Sequence, residues 1–269
     1  MLADHQEYDV VVTAVTRAGI AVRADGHDGF IDRTEHPSWW SNTPRPAVGD
    51  RMRAVVLDAT RTPPRFSALP SDIRTARSLR HTEPLTRLCP PPGRGRTVEW
   101  AAVEEALGTA LPADYKRLVE WYGGGLFYGG GLFAGILWLL EPGCPDALYD
   151  LVAQTAEREE ILTGLWEAGE DKPPELHEDD VRLVPWGYVD GAGHFLYWLV
   201  RPDAEPEEWT VLLNEGRGPL WEVHPMSCSQ FLLEVVAGTT ASFYFTGIDD
   251  IVDPEDRNRF IPNSQILHR

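Results

Sequence analysis

The first seventy residues alternate short apolar stretches with glycine-bearing turns, and no helical period runs through them. β-branched residues occupy many of the apolar positions, as is typical of half-buried strands. The predicted strands cover Tyr8–Thr13, Ile20–Arg23, Gly29–Ile31, Met52–Leu57 and Arg65–Leu69. Short strands at this spacing predict a small all-β barrel. A helix is expected to follow, with Ser71 as its N-cap.

A stretch rich in proline and glycine, residues 81–96, then interrupts the pattern. It has no periodic apolar positions, so we interpret it as a stiff linker between two domains. The predicted organisation is a barrel over 1–80, the linker, a second domain over 97–240, and a C-terminal extension over 241–269. The polar end of that extension, beyond about Pro254, is expected to lie on the surface.

After the linker the apolar spacing becomes helical. Trp100, Val103 and Leu107 share one face of a helix that Gly108 ends, and a second helix begins at Pro112. An acidic helix is expected over 147–168, and a polar loop over 170–180. The predicted strands are Gly135–Leu140, Val181–Trp186, His194–Val200, Trp209–Asn214 and Leu220–His224, with hairpin connections at 190–193 and 214–218. Ser227 and Gln230 form a capping-box pattern that opens a closing helix. These elements predict an α+β domain, an antiparallel sheet with flanking helices.

The strand His194–Val200 is apolar on both faces, and eight of the ten tryptophans follow the linker. Two interpretations are open. Either the domain covers both faces of this strand, or one face is an aromatic platform for a protein partner.

Charge separates the two parts of the chain. Residues 1–80 carry a net charge of +1, with arginine as the only basic type, whereas residues 81–269 carry −19. A strongly negative surface disfavours nucleic acid and attracts basic partners. The alternative is that this charge serves only to keep the protein soluble. The residues predicted to contact such a partner are Glu157, Glu159, Glu160, Glu167 and Glu170.

Motifs that carry chemistry are sparse. The run Gly123–Tyr128 is echoed by Gly129–Ala134, but it follows a helix and precedes a strand, the reverse of a phosphate-binding loop. The eight histidines are isolated and the three cysteines scattered, without the spacing of metal ligands or of a nucleophile and its base. We therefore predict no catalysis, no cofactor and no metal. The sparse cysteines, and the lack of a signal segment or a long apolar run, predict a cytoplasmic protein.

In the barrel, aromatic residues are interleaved with arginines. Phe30, Trp39 and Trp40 accompany six arginines, namely Arg17, Arg23, Arg33, Arg45, Arg51 and Arg53, and these are the ingredients of a platform for single-stranded nucleic acid. The residues predicted to contact it are Phe30, Trp39, Trp40, Arg51 and Arg53. The near-zero net charge leaves a purely structural barrel as the alternative.

The stretch WAAVEEALGTALPADYKRLVEWYGGG, Trp100–Gly125, resembles the opening motif of the SMI1/KNR4 (SUKH) family. That motif has an aromatic residue, a glutamate and Leu-Gly, followed by Leu-Pro-x-Asp-Tyr before a glycine-rich turn. The likeness continues through Val184–Gly187, Leu196–Trp198 and Ser229–Leu232, and it covers about residues 97–240. The doubled glycine turn, an acidic insertion between about 141 and 180, and the tail depart from it.

The resemblance implies a protein-binding module without chemistry of its own. Members of the family are chiefly bacterial immunity proteins that neutralise toxins, often nucleases, while eukaryotic members regulate the cell wall through protein contacts. The resulting hypothesis is an immunity-like protein whose partner is a basic toxin domain. The alternative is an RNA-associated regulator that uses the barrel, because Gly29–Ile31, Val48–Asp50 and Phe66–Leu69 resemble an S1-type OB barrel. The insertion His36–Pro46 departs from that second pattern.

Overall fold

The computed structural model describes residues 2–93, 95–128, 136–189, 193–216, 218–245 and 257–267. The chain divides into two compact units, Met1–Arg80 and His81–Arg269. The first is a closed five-stranded barrel, and the second is a large antiparallel sheet with flanking helices. The predicted α+β class is therefore confirmed.

The barrel has an OB-like topology, with strands joined in the order β1-β2-β3-β5-β4. The strands are β1 Glu7–Val15, β2 Gly19–Ala24, β3 His27–Asp32, β4 Arg51–Asp58 and β5 Arg65–Ser67. Only β3 and β5 run parallel to each other. All five predicted strands are present, and alternate positions such as Val10, Val22, Ile31 and Phe66 fill the interior.

The helix after the barrel, α1 Pro70–Leu79, begins one residue before the predicted cap. Leu69 is its N-cap and Pro70 its first helical residue, so the expectation for Ser71 is wrong. Proline has no N–H to leave unsatisfied and a φ angle already suited to a helix, which makes this first position favourable.

The stretch interpreted as a linker is not free-standing. Residues Thr82–Leu88 form helix α2, which packs in the second unit, and both Leu85 and Cys89 are fully buried there. The Tyr122 hydroxyl donates a 2.5 Å hydrogen bond to the carbonyl of Cys89. A helix of seven residues with one buried leucine is too short to show an apolar period, which explains why the sequence pattern missed it.

The second unit is built around a seven-stranded sheet in the order β11-β10-β9-β8-β7-β6-β12. Its strands are β6 Gly125–Tyr128, β7 Ile136–Leu139, β8 Arg182–Val189, β9 His194–Val200, β10 Thr210–Asn214, β11 Trp221–His224 and β12 Arg259–Pro262. The helices are α3 Trp100–Leu107, α4 Ala113–Tyr122, α5 Leu151–Glu167, α6 Cys228–Ala237 and the short α7 Asn263–Ile266. Every strand pair in this sheet is antiparallel.

Both faces of the sheet are covered along β9. On one face, Trp186 and Trp198 join the core that contains Phe231 of α6. On the other, Tyr197 and Leu199 pack in a cluster with Leu162 of α5. Residues 196–200 are buried, so the strand is a core element rather than an exposed aromatic platform.

The C-terminal extension contributes to the core and to the sheet edge. Strand β12 pairs with β6, and the Phe260 ring, only 7% exposed, lies 4.6 Å from that of Phe127 and 5.0 Å from that of Tyr122. The prediction that this part of the tail lies on the surface is therefore wrong. Four residues among polar neighbours give no readable alternation, and the strand is ordered by its pairing with β6. The second glycine run, 129–134, and most of the connection 190–193 lie outside the described residues.

Candidate binding surfaces of the two units

The acidic helix α5 lies across the sheet with a polar outer face. Its N-cap is Asp150, whose side chain accepts hydrogen bonds from the N–H groups of Ala153 at 2.7 Å and Gly143 at 2.6 Å. Leu151 and Leu162 are buried on its inner face. The cap therefore fixes where the helix begins, and the buried leucines fix which side of it faces outward.

The five predicted contact glutamates differ in exposure and in hydrogen bonding. Glu159, Glu160 and Glu167 are exposed, and among the described residues none of these three forms an ion pair. Glu157 is also exposed and accepts a 2.6 Å hydrogen bond from Gln154. Glu170 is half-buried beyond the helix end, where it accepts from the N–H of Gly218 at 3.2 Å. Four of the five thus face outward, and Glu170 holds the loop after β10.

A buried arginine, which the sequence pattern did not single out, anchors the inner face of α5. Arg158 is 6% exposed, and it donates to the Tyr197 hydroxyl at 3.0 Å and to the carbonyl of Gly216 at 3.0 Å. Its guanidinium carbon lies 4.4 Å from the centre of the Phe195 ring. Burial raises the pKa of Tyr197 to about 12, although the nearby Arg158 charge opposes that rise. The helix is thus fixed to the sheet by polar as well as apolar contacts.

The residues of the Leu-Pro-x-Asp-Tyr motif lie in the core. Asp114 is fully buried, and its Oδ2 accepts from the backbone N–H of Ser229 at 3.0 Å and from the Cys228 thiol at 3.3 Å. The Tyr115 hydroxyl donates to the carbonyl of Leu140 at 2.7 Å. These side chains join α4 to α6 and to the sheet, so the motif builds the scaffold.

The first glycine run packs closely against the C-terminal segment. A Cβ atom on Gly124 would lie 2.5 Å from Cγ of Glu141 and 2.6 Å from Nδ2 of Asn263. The Asn263 side chain donates to Glu141 at 3.1 Å, and Arg96 forms an ion pair with the same carboxylate. The glycines therefore allow the chain to approach this buried cluster, which supports the interpretation as a turn rather than a phosphate loop.

The nucleophilic and metal-binding residue types are buried or isolated. Cys89, Cys144 and Cys228 are free and buried, and burial raises the pKa of all three thiols. His224 binds Glu222 at 2.9 Å, and burial lowers the pKa of His194. Among the described residues no three His, Cys, Asp or Glu side chains are placed to hold a metal ion. Within that same part of the chain, no helix is long and apolar enough to cross a membrane.

The five residues predicted for nucleic acid do not converge on the barrel. Trp39 and Trp40 are 45% and 67% exposed in the segment after β3. Phe30 is half-buried on β3 below the Arg65 guanidinium, at 4.9 Å. Arg51 and Arg53 lie on β4, where Arg53 forms ion pairs with the carboxylates of Glu7 and Asp9.

An open cleft of about 270 Å³ lies beside Trp39. Arg17, Arg33 and Arg45 line it, and the Arg33 guanidinium carbon stands 4.3 Å from the centre of the Trp39 ring. Of the five predicted residues only Trp39 lines this cleft. The three arginines belong to the interleaved set seen in the sequence, but they come from three separate segments, so the sequence could not show that they meet at one cleft.

Comparison with known proteins gives one family match, to part of the chain. No curated protein matches the chain. One matching solved structure, an uncharacterized protein from Methanocaldococcus jannaschii, is 16% identical and covers 26% of this chain and 96% of its own, but the TM-score is only 0.23. The model of the SMI1/KNR4 family (SUKH-1) matches residues 96–233, just over half of the chain and most of the second unit. The chain therefore belongs to the SMI1/KNR4 family.

Proposed function

We propose that the second unit is an immunity-like module that binds a basic toxin domain, such as a nuclease, and neutralises it by covering its active cleft. The observation that carries this proposal is the outer face of α5, where Glu159, Glu160 and Glu167 are exposed and without ion-pair partners among the described residues. Glu160 and Glu167 are seven residues apart, two helical turns, so they share a face about 10 Å long. The negative charge of this face is complementary to the positive charge of the groove in a protein that binds nucleic acid.

The surroundings of this face support recognition rather than catalysis. The net charge of residues 81–269 is −19, which accelerates the approach of a cationic partner. Arg158 holds the helix against the sheet, so binding costs little conformational entropy in this part of the protein. The buried thiols with raised pKa values are poor nucleophiles. The free cysteines also support action in a reducing cytoplasm.

The test uses the full chain and any toxin-like domain that a neighbouring gene encodes, and the absence of such a gene would count against the proposal. Co-expression is expected to restore growth, and surface plasmon resonance to give a stoichiometric complex whose association slows with salt. The variant E159Q/E160Q/E167Q removes three charges from α5, and the expected result is a fall of about tenfold in the association rate. The matched control E83Q/E99Q/E105Q removes three exposed carboxylates, one from α2, one from the N-cap of α3 and one from α3 itself. Equal association rates for the two variants, or failure to protect, would exclude this interface.

A second candidate function belongs to the barrel, which we propose binds single-stranded nucleic acid. Trp39 and Trp40 are exposed and Arg33 lies against Trp39, and exposed aromatic rings with cationic neighbours are the usual means of holding unpaired bases. Fluorescence anisotropy of the full chain with labelled mixed-sequence oligonucleotides at low salt tests it. Binding no tighter than the non-specific range, about 10⁻⁴ M, would end this candidate.

A further inference from the structure

The cleft beside Trp39 gathers positive charge from three separate parts of the barrel. Arg17 lies in the β1–β2 turn, Arg33 follows β3, and Arg45 belongs to the 36–46 insertion. Val15, Ile20 and Trp39 supply apolar wall. The lining is therefore cationic around an apolar, aromatic surface.

The charges of this cleft are not neutralised in the way that charges elsewhere on the barrel are. Arg23 pairs with Asp28, Arg61 with Asp58, and Arg65 with Asp32. In the described part of the chain, by contrast, none of the three cleft arginines forms an ion pair with a carboxylate. Arg33 rests on the Trp39 ring, a contact that retains the full positive charge. Three like charges round one cavity repel one another, so this arrangement favours an anionic ligand rather than the stability of the barrel.

Two local devices hold the lining in place. The Thr16 hydroxyl donates to the carbonyl of Gly19 at 2.9 Å, which closes the turn that carries Arg17. On the other side, the buried His36 ring accepts from the N–H of Ser38 at 3.1 Å, which fixes the turn that carries Trp39. Burial lowers the pKa of His36, so the ring is neutral at pH 7 and acts as a support. Arg17 and the Trp39 ring are thus presented from closed turns.

We propose that this cleft binds one nucleotide unit, with the phosphate among the guanidinium groups of Arg17, Arg33 and Arg45 and the base against the exposed part of Trp39. The cleft, at about 270 Å³, is far larger than the space of one bound water, roughly 30 Å³, and has apolar wall for a base beside its charges. The inference rests on the second proposed function but moves the site, because Phe30, Trp40, Arg51 and Arg53 do not line the cleft. A free mononucleotide and a nucleotide within a single strand offer the same chemistry.

The experiment titrates the full chain with AMP, with inorganic phosphate and with a labelled single-stranded RNA of mixed sequence, at low salt. The variants are Arg17→Gln, Arg33→Gln, Arg45→Gln and Trp39→Ala, with Arg51→Gln as the matched control for charge. Each cleft variant is expected to weaken AMP binding about tenfold, since it removes a charge-assisted hydrogen bond or the stacking surface. The control should stay within about twofold, because Arg51 lies on β4 outside the cleft. Thermal melting followed by circular dichroism checks that each variant remains folded.

The outcomes separate this site from the barrel's wider function. If RNA binds and only Arg51→Gln weakens it, the nucleic-acid function stands and the cleft is overturned. If AMP binds in the cleft but RNA does not, the nucleotide site stands and the nucleic-acid function falls. Inorganic phosphate binding as tightly as AMP would overturn the role of Trp39 and, with it, a nucleotide ligand. Cleft variants that bind AMP like the native chain would overturn the proposal outright.

Discussion

The backbone N–H of Ser229 donates a hydrogen bond of 3.0 Å to the carboxylate of Asp114, 115 residues earlier in the chain. Asp114 lies in the first turn of α4 and is fully buried, and Ser229 lies in the first turn of α6. A carboxylate at a helix N-terminus satisfies an otherwise free N–H and is favoured by the helix dipole. One side chain thus joins the two helices that cover the same face of the sheet.

Replacing Asp114 with alanine should destabilise the second unit. The N–H of Ser229 and the thiol of Cys228 would lose their acceptor in a buried place, at a cost of about 3 kcal/mol. Urea unfolding followed by tryptophan fluorescence measures the loss. As a control, Asp146→Ala removes an exposed cap from Leu148 and should cost about 1 kcal/mol. Equal losses for the two variants would contradict the role of Asp114.

Gly124→Ala should loosen the C-terminal strand from the sheet edge. The added methyl would meet Glu141 and Asn263 at less than 3 Å, and such overpacking costs about 1–3 kcal/mol. Hydrogen exchange of residues 259–263 should accelerate. Gly164→Ala is the matched control, because Gly164 lies within α5 with nothing within 4 Å of its Cβ position. There alanine should stabilise by about 0.5–1 kcal/mol, and faster exchange in the control alone would refute the close packing at Gly124.

Arg158→Met should weaken the attachment of α5 to the sheet. Methionine fills much of the space but leaves the Tyr197 hydroxyl and the carbonyl of Gly216 without their donor, a loss of about 2 kcal/mol in urea unfolding. The comparison is Arg201→Met, which removes a surface ion pair with Glu178 and should cost less than about 1 kcal/mol. An equal loss of unfolding free energy for the two variants would contradict the special role of the buried Arg158 contacts.

The stability of the second unit should fall in alkali in a way that depends on Cys89. Burial raises the pKa of this thiol from 9.0 to about 12, so the folded state holds the proton more tightly than the unfolded chain does. This contribution is fully present below pH 9 and is lost as the pH rises to about 12. Cys89→Ala should therefore show a smaller drop in urea midpoint between about pH 8 and pH 10 than the native chain. The same drop in both proteins would exclude Cys89 as the titrating group.

Local patterns predicted much of the fold. The five barrel strands follow from β-branched residues between glycine turns, and β9 was predicted with the bounds that the structure shows. Gly108 and Gly238 end α3 and α6 in the left-handed conformation that glycine favours. Such signals lie within a few neighbouring residues, so they can be read from the chain alone.

The rest depended on contacts between distant residues. Helix α2 and strand β12 are too short to show a period, and each is fixed by what it packs against: α2 by α4 and α6, and β12 by β6. The sequence shows eleven arginines in the first eighty residues without saying which have partners. The tertiary structure pairs Arg23, Arg61 and Arg65 with carboxylates and places three other arginines, which form no such pair within the described residues, around Trp39. An ion pair requires two groups within a few ångströms, and the folded chain alone sets those distances.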